Sequence, residues 1–344
     1  MKEIKSAKKT HFLKKILIKI CRIFGYELID QSSFEFPVSN KRYNEQISLP
    51  GKSSITLGLG ETKITRNVKS LNIIIKTCTS VQLVSQNKKR IFEKEKSEYT
   101  FRTIKSLFKS SNELKKTYKD IKIKFTILDI GSTQADLDKM LSIAHSEGHN
   151  VKTELISVKK DNEINKLKTI DRNNPKIQNN MASTMLTIKE SFNYAKKCED
   201  LIYFVEDDYL HKLDSLTEMV MTFEKFSSIF NEDVFLIPTD YPYLYKKAEN
   251  SIILIGDKYH WRSVDESLLT FMTSKKIVEK YFDQLMDMSV NESEPFEKNL
   301  HEIYKKQKCF SPMPSLSVHC SNINSVFGIS PNIDVVKLWN DNEI

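Results

Sequence analysis

Residues 201–210 read LIYFVEDDYL: five apolar residues, then Glu206, Asp207 and Asp208 side by side, then two more large apolar residues. The opening run reads as a strand buried on both faces of a sheet. Three adjacent carboxylates at its end repel one another. Placing them there costs stability unless a cation, a hydrogen-bond network or open water compensates. On an extended backbone Asp207 and Asp208 point to opposite sides, so one can face an ion while its neighbour faces a ribose or a backbone amide. Hard divalent cations, Mg²⁺ or Mn²⁺, pair one or two carboxylates with substrate phosphates. A diphosphate leaving group needs that neutralisation. The plain alternative is that the three acids cap the helix that follows, helped by its dipole.

The chain on either side supplies the frame. LNIIIKT (71–77) is another continuous apolar strand, followed by a helical period over 100–107. IKFTILDIGST (123–133) is a second strand and runs into a helix over about 135–144. VKTELISV (151–158) is a third strand, and the helical NNMASTMLTIKESFNYAKKC (179–198) leads into LIYFV. Strands alternating with helices predict a mixed, mostly parallel sheet with helices on both faces, an α/β fold of Rossmann-like type. Ligands of such sheets lie beyond the carboxyl ends of the strands, where Asp129 and Glu206 to Asp208 fall. Further along, the pattern predicts a helix over 213–226, strands in VFLIP, SIILIGDKYHWRS and LLTFMTSKK, a helix over 276–286, and a helix begun by Pro295. The expected organisation is a basic helix in 1–30, a small β-rich lead-in over 31–70, a catalytic domain over 71–325 and an irregular tail over 326–344.

Composition narrows the function classes. The 344 residues carry a formal charge of +8, but residues 1–25 hold eight Lys or Arg against Glu3 alone, and the remaining 319 carry 45 basic and 44 acidic groups. A near-neutral body argues against nucleic acid. The basic start interleaves Phe12, Leu13, Ile16, Leu17, Ile20, Ile23 and Phe24 with Lys14, Lys15, Lys19 and Arg22. The charges make it a poor signal peptide and a poor membrane span. It reads as an amphipathic helix on an anionic membrane surface, or as a helix packed on its own domain. Five scattered cysteines without a C-x-x-C pair predict reduced thiols, hence a cytoplasmic protein; the basic helix, on its membrane reading, would seat it peripherally at the inner membrane face. With only 8 Gly there is neither a G-x-G-x-x-G nor a P-loop.

Taken together, ILDIGSTQADLDKML (127–141), LIYFVEDDYLHKLDSL (201–216) and PSLSVH (314–319) resemble the GT-A glycosyltransferases, especially family 2-like enzymes. The resemblance covers about residues 70–322. It implies a GT-A-like fold and metal-dependent transfer of one sugar from a nucleotide diphosphate donor to a hydroxyl acceptor on an envelope glycan or a lipid-linked glycan. It places Asp129 and Asp207 on the nucleotide, Thr77 and Asn180 near it, and Asp208 with His319 on Mn²⁺ or Mg²⁺. Ile130 stands where the commoner pattern has a second Asp, and no Q-x-x-R-W is present, which argues for single-sugar transfer.

An inverting reaction needs a base beside the acceptor hydroxyl. Glu294 is the first candidate, with a helix cap as its alternative, and Asp265 is the second. In YHWR (259–262), Trp261 is a candidate for stacking on a sugar and Arg262 for gripping a phosphate. A core Trp with an outward Arg explains the same letters. Two rivals remain: a nucleotidyltransferase of similar fold, and a non-catalytic protein of the membrane surface.

Overall fold

A computed structural model describes residues 12–26, 63–80, 91–149, 151–159, 166–170, 175–245, 250–321 and 328–344. The chain divides into two compact units, Met1–Ile64 and Thr65–Ile344. In the first, α1 (Phe12–Ile23) is a helix of twelve residues. It stops at Gly25, whose φ of +81° suits a residue without a Cβ. Phe12, Leu13, Leu17, Ile23 and Phe24 are all exposed. The expected strands of SITLGLG (54–60) lie outside the described residues.

The second unit begins with β1 (Ser70–Thr77), α2 (Lys96–Thr117), β2 (Lys122–Asp129), α3 (Gln134–Glu147), β3 (Lys152–Ser157), α4 (Pro175–Ala195), β4 (Leu201–Glu206) and β5 (Tyr209–His211). There follow α5 (Ser215–Phe230), β6 (Phe235–Leu236), β7 (Ile253–Ile255), β8 (His260–Ser263), β9 (Phe271–Ser274), α6 (Lys275–Lys280) and α7 (Phe282–Met288). The last elements are α8 (Lys298–Tyr304), β10 (Cys309–Met313), β11 (Ser317–His319) and α9 (Val335–Asp341).

Nine strands form one sheet in the order β3-β2-β1-β4-β9-β6-β10-β8-β7. The first four run parallel, β9 and β8 run against their neighbours, and β6 and β10 pair parallel. The sheet is therefore mixed and mostly parallel, as expected. Side chains alternate across it. Leu71, Ile73 and Ile75 of β1 and Leu201, Tyr203 and Val205 of β4 pack with Phe101, Ile104 and Phe108 of α2, Met140 of α3 and Phe223 of α5. Ile74, Ile202 and Phe204 face the other way, onto Ile188 and Phe192 of α4, Ile277 of α6, Leu285 of α7 and Leu300 of α8. Continuous apolar strands are thus explained by helices on both faces, each fully buried Ile, Leu or Phe being worth about 1.5–3 kcal/mol.

Several boundaries differ from the sequence reading. LLTFMTSKK does not join the β7–β8 hairpin; its strand β9 lies between β4 and β6. The helix expected from Pro295 begins at Lys298, because residues 295–298 form a turn closed by Lys298 N–H on the Pro295 carbonyl at 3.1 Å. Nor is the tail irregular. Asp334 caps α9 by accepting from Lys337 N–H at 2.9 Å, and Val335, Leu338 and Trp339, at one-turn spacing, meet Tyr99, Leu210 and Val318. The Arg102 guanidinium lies 4.3 Å from the Trp339 ring centre and donates to its carbonyl at 2.6 Å.

Candidate functional site

Strand register sets the site. Thr77 ends β1 opposite Asp129, which ends β2, and Lys76 lies beside Glu206 of β4. Thr77 Oγ1 donates to Asp129 Oδ1 at 2.8 Å. Ser132 in the following turn donates its hydroxyl to Oδ1 at 2.5 Å and its N–H to Oδ2 at 3.1 Å. Gly131 makes that turn at φ +81°, a conformation open to glycine. Burial raises the Asp129 carboxyl above the ordinary carboxylate range, and these hydrogen bonds oppose it. The same Ser132 hydroxyl accepts from Thr79 N–H at 3.0 Å, so the loop after β1 is tied to the loop after β2.

Asp207 and Asp208 form the turn between β4 and β5 and diverge. Asp207 turns to α2. Oδ1 meets the Lys96 ammonium, and Oδ2 accepts from Thr100 Oγ1 at 2.9 Å and from Cys78 N–H at 3.2 Å. Asp208 turns to the end of the chain, where the small sheet formed by β5 and β11 pairs Tyr209 with His319. That pairing leaves His319 Nε2 3.5 Å from Asp208 Oδ2 and stacks its ring on Tyr209, with centres 4.8 Å apart. Ser321 donates to the same Oδ2, and Cys320 N–H holds the Asp208 carbonyl at 2.8 Å. Burial alone would raise the Asp208 carboxyl, but His319 and then Lys96 outweigh it and hold it well below the usual carboxylate range.

A carboxylate oxygen and an imidazole nitrogen this close suit one divalent cation of the Mn²⁺ type. No third His, Cys, Asp or Glu joins them among the described residues. Remaining ligands for an ion would come from substrate or water, as in open sites that keep positions free.

On the opposite face of β1 and β4, which also carries Ile74 and Phe204, stand Lys76 and Glu206. Lys76 is 8% exposed, and burial lowers its pKa against the pull of Glu206, Asp207, Glu297 and Asp208. Tyr241 and Tyr243, stacked with centres 5.7 Å apart, come from the turn before and within residues 242–245, and both feel the Glu297 charge. Tyr241 also shares a hydrogen bond of 2.7 Å with the Tyr209 hydroxyl.

Thr77, Asp129, Asp207, Asp208 and His319 therefore meet at one end of the sheet. The other expected residues fall elsewhere. Asn180 does not open its helix: it lies in the second turn of α4, where its carbonyl accepts from Thr184 Oγ1 at 3.1 Å. Glu294 is exposed and stands four residues before α8. Asp265 is exposed too, and the groups that feel its charge include Lys305 and Cys309. Trp261 is fully buried, its indole N–H on Glu218 Oε1 at 3.0 Å, so no face is left for a sugar. Arg262 is spent on the buried Asp240 and on the Tyr245 ring 4.3 Å away, bracing the turn that carries Tyr243. Lys76, Lys96 and Glu297, which the sequence reading did not single out, also bring charge to this end of the sheet. Lys76 carried one signal, a lysine inside an apolar strand; Lys96 sits in a lysine-rich stretch that gives none.

No family model matches the sequence, and a search among curated proteins finds no relative. Among solved structures, the galactosyltransferase LgtC in complex with donor and acceptor sugar analogues aligns over 70% of this chain and 72% of its own, with 11% identity and a TM-score of 0.34. An active-site mutant of LgtC gives the same values. The apo structure of WbbM, a bifunctional glycosyltransferase, aligns over 67% of this chain and 35% of its own, with 7% identity and a TM-score of 0.32. Likeness at this level assigns neither a function nor a shared residue.

Proposed function

We propose that the chain is a glycosyltransferase of GT-A type that moves a single sugar from a nucleotide diphosphate donor to a hydroxyl acceptor on a glycan or lipid-linked glycan. The observation that carries this reading is the meeting of Asp208 with His319 at the carboxyl ends of the parallel strands, beside Asp129 and Thr77. The nucleotide lies over Thr77, Asp129 and Asp207, each aspartate still having free acceptor positions for ribose or base groups. Asp208 and His319 would hold a divalent cation, Mn²⁺ or Mg²⁺, which neutralises charge on a diphosphate leaving group. Lys96 pairs with Asp207 and fixes it toward the β1 end. Transfer proceeds with inversion, and the base for the acceptor hydroxyl is Glu297, the carboxylate on the Lys76 side, in place of Glu294 or Asp265.

Sugar nucleotides of UDP, GDP, CMP and dTDP, offered with and without Mn²⁺, test the reading by calorimetry and hydrolysis. Binding and slow hydrolysis of one donor are expected; no binding across the panel overturns it.

The same reading seats α1 on an anionic lipid surface. Its exposed Phe12, Leu13, Leu17 and Ile23 are interleaved with Lys15, Lys19 and Arg22. No helix among the described residues is long and apolar enough to cross a membrane. Full-length protein is expected to float with phosphatidylserine vesicles at low salt and to be lost from them when residues 1–26 are removed. Equal flotation of both proteins defeats this assignment.

A further inference from the structure

Lys76 is an anomaly in the fold. A lysine ammonium carries three donors; Lys76 as a residue is more than nine-tenths buried, its ammonium is not among the wholly buried unpartnered atoms and so reaches the open strand end, and no hydrogen bond or ion pair to it is formed among the described residues. Four carboxylates surround it without touching it: Glu206 beside it on β4, Asp207 and Asp208 just beyond, and Glu297 ahead of α8. Buried ammonium groups in folded proteins are ordinarily paired, because the unpaired charge is costly.

The gap between donor and acceptors defines what fills it. A phosphate accepts but cannot donate, and placed here it would face Glu206 and Glu297 with one lysine charge to offset them. A hydroxyl both accepts and donates, so a polyol with neighbouring hydroxyls satisfies the ammonium and the carboxylates together. Register puts Lys76 and Glu206 on the face of β1 and β4 opposite Asp129 and Asp207. Lys76 and Glu206 are thus separated from the proposed nucleotide side by the strand ends.

We propose that Lys76 and Glu206 form a subsite for ring hydroxyls of the transferred sugar, Lys76 donating to one hydroxyl and Glu206 accepting from its neighbour. This rests on the glycosyltransferase reading.

The experiment compares each free nucleotide, UDP, GDP and dTDP, with UDP-glucose, UDP-galactose, GDP-mannose and dTDP-glucose, in the presence of Mn²⁺, by calorimetry on full-length wild type and Lys76→Met. Lys76→Met is expected to weaken the sugar nucleotide by at least about tenfold, the value of a charge-assisted hydrogen bond, and to leave the free nucleotide within about twofold. An equal effect on both, or on neither, overturns the subsite while the glycosyltransferase reading stands. Wild type that binds no nucleotide overturns both. Should the variant not fold, wild type is titrated with donors lacking single ring hydroxyls. A tenfold loss at one or two ring positions supports the subsite, and uniform binding overturns it.

Discussion

Two buried acidic centres in this chain are handled in opposite ways. Glu218, in the first turn of α5, is 1% exposed and saturated by its own chain. Its Oε1 accepts from Thr222 Oγ1, Asp257 N–H and Trp261 Nε1, each at 3.0 Å, and its Oε2 from Lys258 N–H at 2.8 Å. It pins the β7–β8 hairpin to α5 and leaves nothing for a ligand. Gly256 sits so close that a Cβ there would meet Glu218 Oε1 at 2.3 Å, which keeps the turn tight. At the other centre, Glu206 to Asp208 have acceptors to spare, and Lys76 has donors without partners. A polar cluster that closes on itself is architecture, and one left open needs something from outside.

The comparison breaks first at Glu218. Replacing it with Ala orphans four donors, two of them buried, and should destabilise the protein by about 4 kcal/mol, read as a lower urea midpoint. Nucleotide affinity, measured below the transition, should be unchanged. A loss of less than 1 kcal/mol would mean that the hairpin is not held as described.

Asp208→Asn probes the open centre. It keeps the shape and removes the charge facing His319, so Mn²⁺-dependent turnover should fall by about 10²–10³. Unaltered Mn²⁺ dependence in this variant would remove Asp208 from the metal.

The two centres also differ in how far the sequence revealed them. The parallel half of the sheet was legible because continuous runs such as LNIIIKT and LIYFV can be buried only between two layers of helices. Asp129, Asp207 and Asp208 were legible because they sit at strand ends. His319 could be placed beside them only through a motif order, since the pairing of β5 with β11 is set by tertiary packing. Trp261 and Arg262 misled because their partners, Glu218 and Asp240, are 43 and 22 residues away. Glu294 was expected at the mouth of a helix begun by Pro295, but Pro295 marks a turn here and the first helical residue comes later. Nothing local signals Lys96, whose role exists only once α2 lies across β4.

Acid separates the site from its support. His211, directly behind the site, bonds through Nε2 to the Tyr203 hydroxyl at 2.6 Å, and burial pushes its imidazole down to about 3. The unfolded chain binds a proton near pH 6.5, so this contribution is fully present above that value and is lost as pH falls toward 3. Between pH 7 and pH 4 the loss is about 3 kcal/mol. His211→Gln should flatten that part of the stability profile, whatever its effect at pH 7. An unchanged slope in guanidinium titrations across this range would show that the imidazole is not held neutral.

The smallest effect tests the meaning of an open centre. Lys76 is charged in the unfolded chain, and in the folded chain burial works against that charge more than Glu206, Asp207, Glu297 and Asp208 favour it. Removing the amine while keeping the stem should therefore raise stability, because Met keeps an apolar side chain of similar length without the charge. A gain of about 1 kcal/mol for Lys76→Met is expected in the absence of ligand, visible as an upward shift of a few degrees in Tm. Glu218→Ala moves the other way, so the two variants bracket the distinction between a residue kept for the fold and one kept at its expense. Loss of stability in Lys76→Met would class the lysine with Glu218, as part of the architecture.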